Sequence, residues 1–423
     1  MTVQLVRNVL SQGVGLSTLR DEKFKHNRLS VNLIVPMAHE TVTENALLPQ
    51  LLRRGCQSFP DFTQLNRRLD ELYGASLVAD VNKVGANQII TLGITAIDSR
   101  FTLEGEALSA ECAALLRDVL LSPLLEDGAF PAQDVALEKQ NLIDTIEAQI
   151  NDKRGYAVLR CRQLMGGDDP CALLRYGRAE AVPAITPSSA ANAYHRLIDK
   201  AAIELMFTGP GDGRDALQVL KGAFQPRTAS FSSPAIVSAA ECVRETIEQM
   251  DIAQCKLVMG FRTGPRGNLH TQAAFRLMTA LFGGTPISKL FLNVRERLGL
   301  CYYCAARYDR ASATLLVDSG VECQNIDKAR TEILRQLEEI QEGHFDDDTL
   351  EDTRLQMKNS LRTVGDSASA LEDWYLGRLI TGDMASPTED MALLETIDRK
   401  AVIAAARAVT LDTVYLLKGK EEA

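Results

Sequence analysis

Histidine is scarce in this sequence, and its placement excludes the simplest metal chemistry. The histidines are His26, His39, His195, His270 and His344, and no two of them stand at i and i+4. A helix that holds one metal ion with two imidazoles needs that spacing, because residues i and i+4 share a face. Long apolar runs are missing too. None approaches the roughly 20 residues that span a bilayer. The opening stretch, MTVQLVRNVLSQGVGL, has no basic segment ahead of an unbroken apolar core, so no signal peptide is expected. Positive charge is in deficit: 46 Lys and Arg stand against 56 Asp and Glu, a net charge of −10. A nucleic-acid partner therefore gets no electrostatic support. Cysteine is sparse and odd in number, so its nine copies cannot all pair internally. Cys112, Cys161 and Cys255 fall inside apolar helix or strand patterns, as small buried hydrophobes in a reducing cytoplasm would.

What is present is a chain of 423 residues, long enough for two or more domains with cores of their own. Alternation predicts strands over 29–37, 76–82, 87–96 and 202–208. Helical periodicity predicts helices over 44–54, 61–72, 103–121 and 188–197, and one long helical stretch over 130–165. The character then changes. Residues 225–238 carry Pro226 and Pro234 among small and polar residues without periodicity, so the stretch 213–240 is expected to link a domain over 1–212 to one over 241–423. A second series follows, with strands over 255–260, 302–308, 315–322 and 414–418. Its helices cover 271–282, 287–297, 326–342, 346–364, 367–380 and 399–409. Leu65 to Gly74 followed by a strand resembles Leu292 to Gly299 followed by a strand, and both halves end in helix, short turn, strand and Gly. The pattern indicates a duplicated α+β unit rather than a solenoid.

The segment Phe282-Gly-Gly-Thr-Pro-Ile-Ser-Lys-Leu-Phe-Leu-Asn-Val-Arg-Glu-Arg-Leu-Gly-Leu-Cys-Tyr302 resembles the C-terminal signature of the M16 (pitrilysin-like) metallopeptidases. That signature is a Gly-rich turn, a Ser-x-Leu-Phe helix, Arg-Glu-x-x-Gly-Leu, and a Tyr seven residues after the Arg. Leu47 to Gly55 and Asp70 to Ser76 resemble the family's inactive, YfmF-type branch. The resemblance implies an α+β fold of two homologous LuxS/MPP-like domains, each a mainly antiparallel sheet covered by helices. It also implies that Arg295 and Tyr302 hold the substrate backbone beside a zinc site. A guanidinium fork and a phenol suit that task, since both donate to a carbonyl oxygen that gains negative charge.

An active member carries His-x-x-Glu-His on a helix, with a Glu far downstream as third zinc ligand. Anchored on Gly55, the motif positions here read Ala46, Pro49 and Gln50. The downstream position, seven residues after Glu138, reads Thr145. Ala and Pro offer no ligand, and Gln and Thr are poor ones. The resemblance therefore implies a chain with no zinc of its own and no catalysis on its own. It would pair with an M16 subunit whose zinc motif is intact, or with a second copy of itself, to act on peptides in the cytoplasm, with no nucleic acid or membrane involved. A non-enzymatic scaffold or peptide-binding protein is the alternative. Cys301-x-x-Cys304 has the spacing of half a zinc knuckle or of a redox pair. It opens a strand rather than a helix, and no second pair matches it, which argues against either use. Gly283-Gly284 lacks the Lys-Ser/Thr of a phosphate loop. The run from Asp346 to Asp348 reads as a helix start and Trp374 as packing.

Overall fold

In this computed structural model the described residues are 4–229, 231–233 and 236–419. Along the chain run β1 (Gln4–Ser11), β2 (Val14–Arg20), β3 (His26–Pro36), α1 (Val42–Leu52), α2 (Phe62–Glu71), β4 (Ser76–Val84) and β5 (Asn87–Ile97). Next come α3 (Leu108–Leu121), α4 (Ala132–Ala148), α5 (Lys153–Gly166), α6 (Pro187–Lys200), β6 (Ala202–Gly209) and α7 (Arg214–Leu220). The second series is β7 (Arg244–Met250), β8 (Cys255–Arg262), α8 (Leu269–Thr279), β9 (Cys301–Asp309), β10 (Thr314–Val321), α9 (Ile326–Glu342), α10 (Asp347–Val364), α11 (Ala368–Ile380), α12 (Pro387–Glu395), α13 (Arg399–Arg407) and β11 (Thr410–Gly419).

Two compact units form, and neither is a continuous half of the chain. The first gathers Met1–Glu147, Leu173–Ser233 and Gly365–Ser386; the second gathers Ala148–Ala172, Pro234–Val364 and Pro387–Ala423. The reading of a domain over 1–212 and another over 241–423 thus differs from the packing by two exchanged segments. The stretch 213–240 is not all linker, because α7 occupies its start and buries Ala216 and Leu220 in the first unit. Ser230, Pro234 and Ala235, within that stretch, lie outside the described residues. The long helical stretch over 130–165 is two helices. Its apolar period hides the break at Asp152, whose carboxylate caps α5 by accepting from Gly155 N at 3.0 Å.

In the first unit the sheet order is β1-β2-β6-β3-β5-β4. All neighbours are antiparallel except β2 and β6. Leu29, Val31 and Leu33 of β3 point into a core shared with Leu47, Leu48 and Leu51 of α1, Leu65 and Leu69 of α2, and Leu115 and Leu116 of α3. The alternate side chains Arg28 and Ser30 point to the other face. There α11 contributes Glu372, which accepts from Arg28 Nε at 2.8 Å, Ser30 Oγ at 3.1 Å and Thr208 Oγ1 at 3.3 Å.

The second unit repeats this plan with one strand fewer, in the order β7-β11-β8-β10-β9, and its parallel pair, β7 with β11, is the counterpart of β2 with β6. Its exchanged helix, α5, packs Ala157, Cys161 and Met165 against Val258, Leu316, Tyr415 and Leu417. Arg154 of α5 pairs with the buried Asp318 of β10. Strand for strand, β2, β6, β3, β5 and β4 correspond to β7, β11, β8, β10 and β9, which is the duplication read from the sequence. Cys112 and Cys161 are buried thiols as expected. Cys255 corrects its expectation, because it is bonded to Cys323. No helix among the described residues is long and apolar enough to cross a membrane.

Candidate functional site

The four degenerate positions lie in the first unit. Helix α1 is buried around most of its circumference, so Ala46, at 3% exposure, is a core residue. Pro49 is inside the helix and buried. It has no N–H for the carbonyl of Asn45, as a proline in a helix interior always lacks. Gln50 is exposed, and its amide donates to the Ala79 carbonyl of β4 at 3.1 Å. Thr145, exposed on α4, donates its hydroxyl to the Asn141 carbonyl one turn back at 2.7 Å. An alanine, a proline, a neutral amide and a hydroxyl do not make a zinc site, which takes imidazole, thiolate or carboxylate ligands. Glu138, the reference point for Thr145, is buried and engaged: Arg54 lies 3.7 Å away and Asn141 Nδ2 donates to it at 3.0 Å. Arg54 also reaches Asp134 at 3.2 Å, so the chain just after α1 is tied to α4 by charge. Among the described residues no group of three or more His, Cys, Asp and Glu is arranged to hold a metal ion.

Arg295 and Tyr302 lie in the second unit, on two unusual pieces of backbone. The segment expected as an α-helix over 287–297 is a π-helix over Leu290–Arg297. Its end is marked by the wide i to i+5 bond from Leu298 N to the Asn293 carbonyl at 3.2 Å, and by Gly299 at φ +60°. Leu290 and Val294 anchor it in the core. Arg295 faces outward with 38% of its side chain exposed. Its guanidinium carbon lies 4.6 Å from the Phe291 ring centre, and its Nε lies 3.4 Å from the Glu296 carboxylate. The ring holds the guanidinium by a cation–π contact while leaving its two Nη groups open to a further acceptor.

Tyr302 sits in a β-bulge. Cys301 pairs with Val321 and Tyr303 with Gly320, so Tyr302 has no partner residue on β10. A bulge re-aims the extra side chain, and here Tyr302 is left 76% exposed. Its hydroxyl makes no hydrogen bond among the described residues. Both Arg295 and Tyr302 can therefore donate to something not yet bound. The same bulge has a second effect that spacing alone hides. It puts Cys301 and Cys304 on one face of β9 at neighbouring positions. Phe291, one turn before Arg295, was also missed; an aromatic four residues before an Arg was the available signal. No sequence signal marks the bulge, which exists only in the register between β9 and β10.

Residues 184–357 match a family model described as the peptidase M16 inactive domain. A Bacillus subtilis protein described as a probable inactive metalloprotease, YmfF, is 32% identical over 414 residues, covering 97% of each chain. The branch named above is thus that of YmfF. A conserved protein from Enterococcus faecalis has the same fold with a TM-score of 0.89, at 26% identity and 99% coverage of both chains. A peptidase M16 inactive domain from Pseudomonas fluorescens has a TM-score of 0.77 at 16% identity, over 100% of this chain and 99% of that one. The chain belongs to the M16 metallopeptidase family, as a homologue of its inactive members.

Proposed function

We propose that this chain is the non-catalytic subunit of a two-subunit M16 peptidase. A partner subunit with an intact His-x-x-Glu-His helix brings the zinc. This chain completes a peptide-processing chamber and supplies Arg295 and Tyr302 as donors to the peptide bond being cut. One contrast carries the reading. The four metal positions are filled by side chains that cannot serve, while Arg295 and Tyr302 keep exposed, available donors on a π-helix and a bulge. A scaffold has no need to hold an unpartnered phenol and a part-exposed guanidinium seven residues apart.

The test is to co-express the chain with a zinc-bearing M16 protein of the same organism, purify the complex and measure peptide cleavage. Cleavage is expected from the pair and not from this chain alone. Arg295→Ala and Tyr302→Phe are expected to lower turnover about 10²-fold, as loss of one transition-state donor does, with assembly unchanged. Full turnover in both variants sinks the clamp, and failure to assemble with any such partner supports the scaffold alternative.

A further inference from the structure

We propose that Cys301 and Cys304 form a dithiol site that takes up two-electron oxidants of the peroxide class and closes to a disulfide. In an unbroken strand, residues i and i+3 point to opposite faces, and two such cysteines cannot meet. The bulge at Tyr302 removes that obstacle. Cys301 pairs with Val321 and Cys304 with Ser319, two residues apart on β10, so both thiols share one face of the sheet. The two thiols interact there, which shifts their ionisation in opposite directions. Cys301 is half-buried and reachable, whereas Cys304 is 5% exposed and lies behind it. That ordering suits an attacking thiol in front and a resolving thiol behind.

The local charges match the order. The interaction with Cys304 and the positive charge of Arg295 hold the Cys301 thiol below the usual cysteine range, against the effect of burial. The same contact and burial push Cys304 well up, so it stays protonated. Cys255 lies in the same cross-strand row, two strands from Cys301 through Val321, but it is bonded to Cys323 and holds no thiol. Cys304 is therefore the resolving group.

The chemistry balances with peroxide as the oxidant. The Cys301 thiolate attacks one peroxide oxygen and the O–O bond breaks. The leaving hydroxide takes a proton to become water, and Cys301 is left as a sulfenic acid. The Cys304 sulfur then attacks the Cys301 sulfur and the S–O bond breaks. The leaving hydroxide takes the Cys304 proton as a second water. Two thiols and one peroxide give one disulfide and two waters. The ring so closed contains Tyr302, so oxidation would also fix the residue that the proposed function uses as a donor. The site itself does not depend on that function.

The test uses the purified full chain, graded hydrogen peroxide, alkylation and peptide mapping by mass spectrometry. Trypsin cuts after Arg297 and Arg307, so both cysteines fall in one peptide, Leu298–Arg307. The exposed Cys242 serves as an internal comparator. The expected result is a peptide that loses two hydrogens and both alkylation sites at peroxide levels that leave Cys242 alkylatable, and regains them with reductant. In Cys304→Ser, Cys301 is expected to stop at a sulfenic acid trapped by a dimedone-type reagent. The proposal is overturned if Leu298–Arg307 keeps two alkylatable thiols until Cys242 is oxidised. It is equally overturned if Cys301 bonds to any cysteine other than Cys304.

Discussion

Arg28 and Glu372 are 344 residues apart in sequence and 2.8 Å apart in the first unit, where the guanidinium Nε donates to a carboxylate that is almost fully buried. This ion pair fastens the exchanged helix α11 to β3. Burial pushes the Glu372 carboxyl up to about 7, while Arg28, Ser30 and Thr208 pull it back. Its neighbour Asp373 is moved the same way by burial and by Asp80.

A stability slope with pH follows from that shift. In the unfolded chain Glu372 ionises near its ordinary value of about 4.3. Its folded value is higher, so the native state holds the proton longer. The contribution to stability is full below the unfolded value, is lost as pH rises toward about 7, and levels off above it. In urea denaturation across that window, wild type should lose stability relative to Glu372→Gln as pH rises. Glu372→Gln should flatten the fall, leaving the smaller slope from Asp373. An unchanged slope in the variant would rule out Glu372 as its source.

The Gly-rich segment ahead of Leu290 ends a second, shorter π-helix over Ala280–Gly284 and makes a second, sharper test. A Cβ on Gly283 would lie 2.8 Å from the Ala306 backbone nitrogen and 2.7 Å from a methyl of Leu290. The backbone atom cannot step aside. On Gly284 the nearest atom would be at 3.4 Å. Gly283→Ala is therefore expected to cost roughly 1–3 kcal/mol through overpacking. Gly284→Ala should cost well under that. Equal thermal shifts in the two variants would contradict the packing account of these two glycines.

These two glycines illustrate what the sequence makes legible. Apolar periodicity located most of the helices and the central strands, because a buried face leaves a repeat. It missed β7, whose residues Arg244 to Met250 are largely polar and half exposed on a sheet edge. It also fused α4 with α5, because the apolar repeat runs on past Asp152 while the backbone does not. The exchange of α5 and α11 between units is invisible to any local pattern, since it is decided by which sheet face each helix finds. At the candidate site, the resemblance to the M16 signature picked out Arg295 and Tyr302. The features that expose them, the π-helix and the bulge, are properties of hydrogen-bond register and leave no residue-type signature.

Metal content gives the next prediction. Ala46 and Pro49 have no metal-binding side-chain atom, and the amide of Gln50 and the hydroxyl of Thr145 are poor neutral ligands for zinc. The purified chain is expected to carry far less than stoichiometric zinc by elemental analysis. A strong chelator should leave its melting temperature unchanged, because a ligand that does not bind the native state cannot stabilise it. A melting temperature that falls with chelator and returns with zinc would show that the four positions have been misassigned.

The bond between Cys255 and Cys323 is the last point at which the structure departs from the cysteine pattern, and it predicts a reductant effect confined to one bond. Cys255 is fully buried at the start of β8, while Cys323 lies in the exposed turn after β10. The bond closes a separation of 68 residues within the second unit. In the loop-closure model a ring of that size stabilises by about 4 kcal/mol, chiefly by restricting the unfolded chain, and measured values often fall lower. Cys323→Ser removes the bond at its exposed end and leaves the buried Cys255 as a small apolar thiol, so little native packing is lost. Wild type without reductant should be the most stable sample. Wild type with reductant should fall to the level of Cys323→Ser, and reductant should not change the variant further. If reductant destabilises Cys323→Ser as much as wild type, the effect belongs to another bond, and the Cys301–Cys304 pair becomes the first place to look.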